Sequence, residues 1–308
     1  MIPRLRHTAI ICFARVLPII MAATAQAHPG SGIVVDDKGL VYFVHAQVGI
    51  WKIDRKGELG KHDGPAFHFM TQDRKKEFEA RRLPRVESAE VVLAGTKTKL
   101  ILSSSFPLTI GSDGNLYYPI CEGEGPVQMM RMTPKGETTL VATLPPATEI
   151  GMDGKPLIAK WIHGLAPGRD GVLYYSEKEA VRRIGPDGAI TMVADKITVP
   201  DCEHPPAIPD DRGGPVLRGL DVAEDGSIYV AASACSALVK ISPTGKVSVA
   251  LRSTDAWSPT GVAIAGKDIY VLESLYVKSD QAKDWLPRIR KIAADGQVTV
   301  LATVPAQN

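Results

Sequence analysis

No stretch of this 308-residue chain reaches the ~18 uninterrupted apolar residues that a membrane-spanning helix needs. Nor does it carry the clustered Lys and Arg that would grip nucleic acid or an anionic membrane. Neither partner is expected. The short catalytic devices are missing too: there is no Gly-x-Ser-x-Gly elbow, no His-Glu-x-x-His and no glycine-rich phosphate loop. Cysteine is scarce, at four residues, and none of them forms a Cys-x-x-Cys redox pair.

The slight positive balance of the whole chain resides in its first 27 residues. They combine a basic start (Arg4, Arg6), an apolar stretch over 16–23 and a small-x-small site at Ala25-Gln26-Ala27, the parts of a secretory signal. This predicts an exported protein, periplasmic or secreted, whose mature chain begins at His28. Three arginines and no acid leave with the leader, so 36 basic against 34 acidic residues become 33 against 34. Cys12 leaves as well, and Cys121, Cys202 and Cys235 remain. An odd count in an oxidising compartment points to one disulfide and one spare thiol.

What the chain does have is a repeat. "DDKGLVYFV" (36–44), "GSDGNLYYP" (111–119), "GRDGVLYYS" (168–176), "AEDGSIYVA" (223–231) and "AGKDIYVLE" (265–273) align with Tyr42, Tyr117, Tyr174, Tyr229 and Tyr270 in one column. A second phrase follows each and puts Lys52, Arg131, Arg183, Lys240 and Lys291 in another column, ahead of a turn closing on glycine. Short Val/Ile/Leu/Tyr runs cut by Asp-Gly or Pro-x-Gly turns read as four antiparallel strands per unit. Sheets apolar on both faces need neighbours on both sides, which a ring of blades supplies. The fold class is therefore all-β, a β-propeller, in one domain over 28–308 and expected as a monomer. The widest tyrosine spacing leaves room for a degenerate blade over 62–104, with Phe78 in the tyrosine column and "EVVLAG" and "KLILSS" as further strands. The count is then six blades, or five if 62–104 is an insertion. A short helix is expected at Arg74–Arg82, where charges crowd.

The turns after the first and third strands are short and uniform; the loops on the other face are long and varied, which marks that face as the one carrying function. The start of each inner strand brings Ser31, Phe67, Phe106, His163, Arg218 and Thr260 to the axis on this face, and the end of each second strand adds His45, Ile120, Glu177, Ala232 and Glu273. Two histidines, an arginine, two acids and two aromatic rings suit a small polar or anionic molecule, or a protein partner. The structural alternative is that Arg218 and Glu177 or Glu273 simply neutralise one another. The Lys/Arg column reads as long stems covering apolar surface. Cys202 and Cys235 both fall on the variable face, on adjoining blades, and are predicted to form the disulfide, with Cys121 free.

Through these columns the chain resembles the six-bladed propellers of the NHL-repeat and senescence-marker protein, gluconolactonase and luciferin-regenerating superfamily. "WIHGLAPGRDGVLYYSE" (161–177) and "LRGLDVAEDGSIYVA" (217–231) are the segments most similar. The resemblance implies an axial calcium held by Glu, Asn and Asp that polarises a lactone carbonyl and activates water. At the matching columns stand Ser31, His163 and Arg218, and an arginine repels a dication. His45, His163, Glu177 and Glu273 would make a softer set that suits zinc better than calcium. His28, as a new N-terminus, would pair an amine with an imidazole and chelate copper. The leading expectation is an exported binding protein without chemistry of its own. The alternative is a metal-dependent lactone or ester hydrolase with an altered site, drawing its catalytic groups from His163, Glu177 and Glu273. A structural role in the cell envelope would instead show as a large exposed apolar patch on the long loops.

Overall fold

The computed structural model describes residues 31–36, 38–45, 49–62, 91–92, 99–100, 107–121, 126–133, 137–145, 162–202, 214–277 and 284–306. Each repeat folds into the four-stranded antiparallel blade that its turns dictate. The first blade is β1 (Ile33–Val35), β2 (Val41–His45), β3 (Gly49–Ile53) and β4 (Leu59–His62). After a two-stranded ladder of β5 (Val91–Val92) and β6 (Lys99–Leu100), the second blade holds β7 (Thr109–Ile110), β8 (Leu116–Cys121), β9 (Val127–Met132) and β10 (Thr138–Thr143). The third is β11 (Gly164–Pro167), β12 (Leu173–Ser176), β13 (Val181–Ile184) and β14 (Ile190–Ala194). The fourth is β15 (Leu217–Val222), β16 (Ile228–Ala232), β17 (Ala237–Ile241) and β18 (Val247–Arg252). The fifth is β19 (Trp257–Ala265), β20 (Asp268–Leu275), β21 (Pro287–Ile292) and β22 (Val298–Thr303).

The six-blade expectation is therefore corrected to five. Of the degenerate unit over 62–104, the described residues hold only the β5–β6 pair, Val91 opposite Leu100 and Val92 opposite Lys99. These two strands lie in the segments expected to pair. The physical reason the unit falls short is legible: it lacks the glycine that closes the hairpin turn in the other blades, and charges crowd its centre. In the fourth blade that turn needs Gly226 at φ 81°, a backbone conformation that side chains disfavour. The leader, His28, Phe67, Phe78, Phe106 and the helix expected at Arg74–Arg82 lie outside the described residues.

The two sequence columns turn out to be cross-strand partners. Tyr42 faces Lys52, Tyr117 faces Arg131, Tyr174 faces Arg183, Tyr229 faces Lys240 and Tyr270 faces Lys291. Lys240 and Lys291 lie over their tyrosine rings at 5.5 and 5.6 Å from the centroids. Arg131 and Arg183 instead donate from Nε to threonines on the fourth strand, Thr139 and Thr191. The column is thus a packing device of the blade, with long stems laid on aromatic faces.

The apolar residues meet between blades. Ala166 and Val181 of the third blade pack with Val230 and Val239 of the fourth. Leu238 and Leu251 of the fourth pack with Val262 and Val271 of the fifth. Ala263, Leu272 and Ile289 of the fifth pack with Ile33 and Phe43 of the first, so the last blade abuts the first. Near the axis this closeness demands glycine. A Cβ on Gly219 would sit 2.9 Å from the Gly261 Cα and 3.2 Å from the Ser31 carbonyl oxygen, and one on Gly261 would overlap that carbonyl outright. On the outside, β10, β14, β18 and β22 each carry a register shift against the third strand. Such bulges twist an edge strand away from chance pairing with another chain. Among the described residues no helix is long and apolar enough to cross a membrane.

One inner-strand residue carries a charge-bearing group in a column that is otherwise uncharged. Asp221, where the other blades have Val34, Thr109, Ala166 and Ala263, accepts hydrogen bonds from the Val222 amide at 2.8 Å and, across the blade boundary, from the Ile264 amide at 2.8 Å. It ties the fourth inner strand to the fifth. Burial nonetheless pushes its pKa up to about 6, against these two hydrogen bonds. A carboxyl that holds its proton more tightly folded than unfolded contributes stability in acid that is lost as pH rises through its folded pKa. Denaturant unfolding from pH 4.5 to 7 should show the wild type losing about 2 kcal/mol relative to Asp221→Asn. Parallel curves for the two proteins would contradict this.

Candidate functional site

The variable-loop end is built from the starts of the inner strands and the ends of the second strands. Ser31, His163, Arg218 and Thr260 each precede a glycine, Gly32, Gly164, Gly219 and Gly261, and the last three belong to the tight axial layer. Hydroxyls join neighbouring blades at this level. Ser176 Oγ donates to the Arg218 carbonyl at 2.6 Å, and Ser233 Oγ donates to the Pro259 carbonyl at 2.7 Å. Four of the six expected axial residues thus belong to one layer; Phe67 and Phe106, as noted, are not described.

Their availability differs. Thr260 is fully buried and its hydroxyl donates to the Leu272 carbonyl at 3.4 Å, so it serves the fold. His45 is buried at the end of β2. His163 stands one residue before Gly164, and its backbone amide bonds the Ser176 carbonyl at 3.2 Å. Arg218 is half-buried. Its guanidinium lies close enough to Tyr276 to favour the phenolate, working against the burial that raises the Tyr276 pKa.

The two acids are committed elsewhere than expected. Glu177 is paired with Arg182 at 3.2 Å, on the next strand of its own blade. The side chain of Glu273 is 0% exposed and accepts from three donors: Arg288 Nε on one oxygen, and Ser253 Oγ and Arg290 on the other. The arginine partners of the two acids follow a cross-strand rule. Glu273 faces Arg288 directly, and Arg290 and Arg182 take the diagonal position beside their acids. Where the second strand ends in Ile120 or Ala232, the diagonal residue is apolar as well, Met130 or Val239. That correlation was present in the sequence, one residue ahead of the Lys/Arg column.

This arrangement does not fit the calcium site that the resemblance implies. The matching columns hold Ser31, His163 and Arg218, and the carboxylate oxygens of Glu273 are taken by guanidinium and hydroxyl donors. Among the described residues no three His, Cys, Asp or Glu side chains converge as a metal-holding group. The disulfide falls where the loop layout put it: Cys202, after the third blade, bonds Cys235, with 4.6 Å between Cα atoms. It pins the 3-10 turn Ser233–Cys235, whose Ser233 and Ala234 amides bond the Val216 and Pro215 carbonyls just ahead of Arg218. Cys121 ends β8, and its side chain is outside the described set.

No protein-family model matches the chain, and no curated protein matches it. Among solved structures it is similar to virginiamycin B lyase from Staphylococcus aureus at 17% identity, over 90% of this chain and 85% of that one, with a TM-score of 0.46. It is similar to a luciferin-regenerating enzyme at 14% identity, over 92% and 95% of the two chains, with a TM-score of 0.49. A calcium-binding protein, regucalcin, from Agrobacterium tumefaciens matches at 11% identity over 81% and 83%, with a TM-score of 0.48. These likenesses assign no function to this chain.

Proposed function

We propose that this protein is an exported β-propeller that binds a small polar, anionic molecule at its variable-loop end. One observation carries the reading: the strand ends there hold four arginines, Arg182, Arg218, Arg288 and Arg290, against two glutamates, Glu177 and Glu273, and both glutamates are already neutralised within their own blades. Among the described strand ends guanidinium groups outnumber carboxylates, and Arg218 stands in the axial layer. Half-buried guanidinium groups favour carboxylates and phosphate esters, which they can grip bidentately. Export is supported by the leader pattern and by the Cys202–Cys235 bond. The metal-dependent hydrolase is the weaker reading because it needs Glu273 or Glu177 as a ligand or base, and arginines hold both.

Calorimetric titration of the exported protein with a panel of small organic carboxylates and phosphate monoesters tests this. At least one should bind, and Arg218→Ala should weaken it by about tenfold or more, the worth of a charge-assisted hydrogen bond. Absence of binding across the panel, or affinity indifferent to Arg218, would refute the reading.

A further inference from the structure

Two guanidinium groups share one carboxylate on the fifth blade, and the stoichiometry leaves a charge over. Arg288 and Arg290 stand two residues apart on β21, on the face turned toward Glu273. Their side chains are 14% and 16% exposed, while that of Glu273 is 0% exposed. Arg288 spends Nε on Glu273 and lays its plane over Trp257, 4.2 Å from the ring centroid. Arg290 uses one terminal nitrogen, 3.3 Å from Glu273 Oε1 and 3.2 Å from the Arg252 carbonyl. The two terminal nitrogens of Arg288, and the Nε and second terminal nitrogen of Arg290, have no acceptor among the described residues.

A nearly buried group of two cations and one anion is costly unless the surplus charge and the spare N–H groups find a partner. Both guanidinium groups keep some exposure to solvent, and Trp257 lies against Arg288. We propose that Arg288 and Arg290 form a seat for an oxyanion, the carboxylate or phosphoryl group of the ligand, with Glu273 beneath holding the two forks in place. The inference rests on reading this end as the ligand mouth and identifies which part of it takes the charged group. Arg218, on the neighbouring blade, then contacts a different part of the molecule. Glu273 positions the two arginines and does not touch the ligand.

The test uses inorganic phosphate and acetate as probes, at constant ionic strength made up with chloride, and reads the thermal midpoint of the full exported protein. Arg288→Ala leaves Glu273 and Arg290 as a balanced pair and so should remain folded; far-UV circular dichroism checks this. A saturable rise in the wild-type midpoint with phosphate or acetate is expected. In Arg288→Ala the half-saturating concentration should increase about tenfold or more, whereas Arg183→Ala, which removes an exposed guanidinium held by Thr191 on the third blade, should keep the wild-type response. A rise with acetate alone assigns the seat to carboxylates, and a rise with phosphate alone assigns it to phosphoryl groups. An equal rise in Arg288→Ala, or no rise with either probe, overturns the seat. The binding reading fails separately, through the organic-anion panel and Arg218→Ala.

Discussion

Replacing Glu273 by alanine should cost about 3–5 kcal/mol of stability, the range for removing one partner of a buried ion pair. The cost arises less from the lost attraction than from what remains. Arg288 and Arg290 would face each other with only Trp257, the Arg252 carbonyl and limited solvent to offset two positive charges. Ser253 would lose its acceptor as well. Glu273→Gln keeps hydrogen-bond acceptance on one oxygen and removes the charge, so it should fall between alanine and wild type. Urea unfolding of the three proteins checks the order. If Glu273 were instead a solvated catalytic base with no structural duty, alanine would leave stability within about 0.5 kcal/mol of wild type, as surface substitutions do.

Reducing the Cys202–Cys235 bond should lower stability by about 3 to 4 kcal/mol. The bond closes a loop across 33 positions of sequence, and the cost of closing a loop of that length in the unfolded chain gives this magnitude. The link also has a local task. It ties the end of the third blade to the turn that braces the start of β15, while Arg252 takes up the Pro200 and Asp201 carbonyls beside it. The Cys202→Ala, Cys235→Ala double variant should therefore unfold at lower urea in the same cooperative transition, and dithiothreitol should shift the wild type but not the variant. Intact-mass analysis after alkylation gives the independent check: two additional labelled thiols should appear only after reduction.

The sequence carried the scaffold because each blade repeats the same local physics. Tyrosine and Lys/Arg columns became facing cross-strand pairs in all five blades, and the glycines beside His163, Arg218 and Thr260 mark where neighbouring strands come too close for a side chain. The sixth blade was overread from apolar residues at the right spacing; among the described residues its unit holds only the β5–β6 pair. The site was less legible. Glu273 and Glu177 attract attention as isolated acids on a functional face, yet their partners stand on the next strand, at a diagonal that emerges only when strands two and three are laid side by side. The same holds for Asp221, whose amide partner Ile264 belongs to another blade. Pairings between repeats are set by how the ring packs, which no single repeat records.

The most direct test of a cationic, anion-binding mouth is the thermal midpoint of the exported protein without a histidine tag, read in chelator, in calcium, in zinc, and with the organic anions of the panel. A ligand at ~100 times its dissociation constant adds about 2.7 kcal/mol of stability, well within what a melt resolves. The midpoint should rise with an anion and stay level with either metal. A clear rise with calcium or zinc, and none with any anion, would contradict the reading and return Glu273 and His163 to the role of metal ligands.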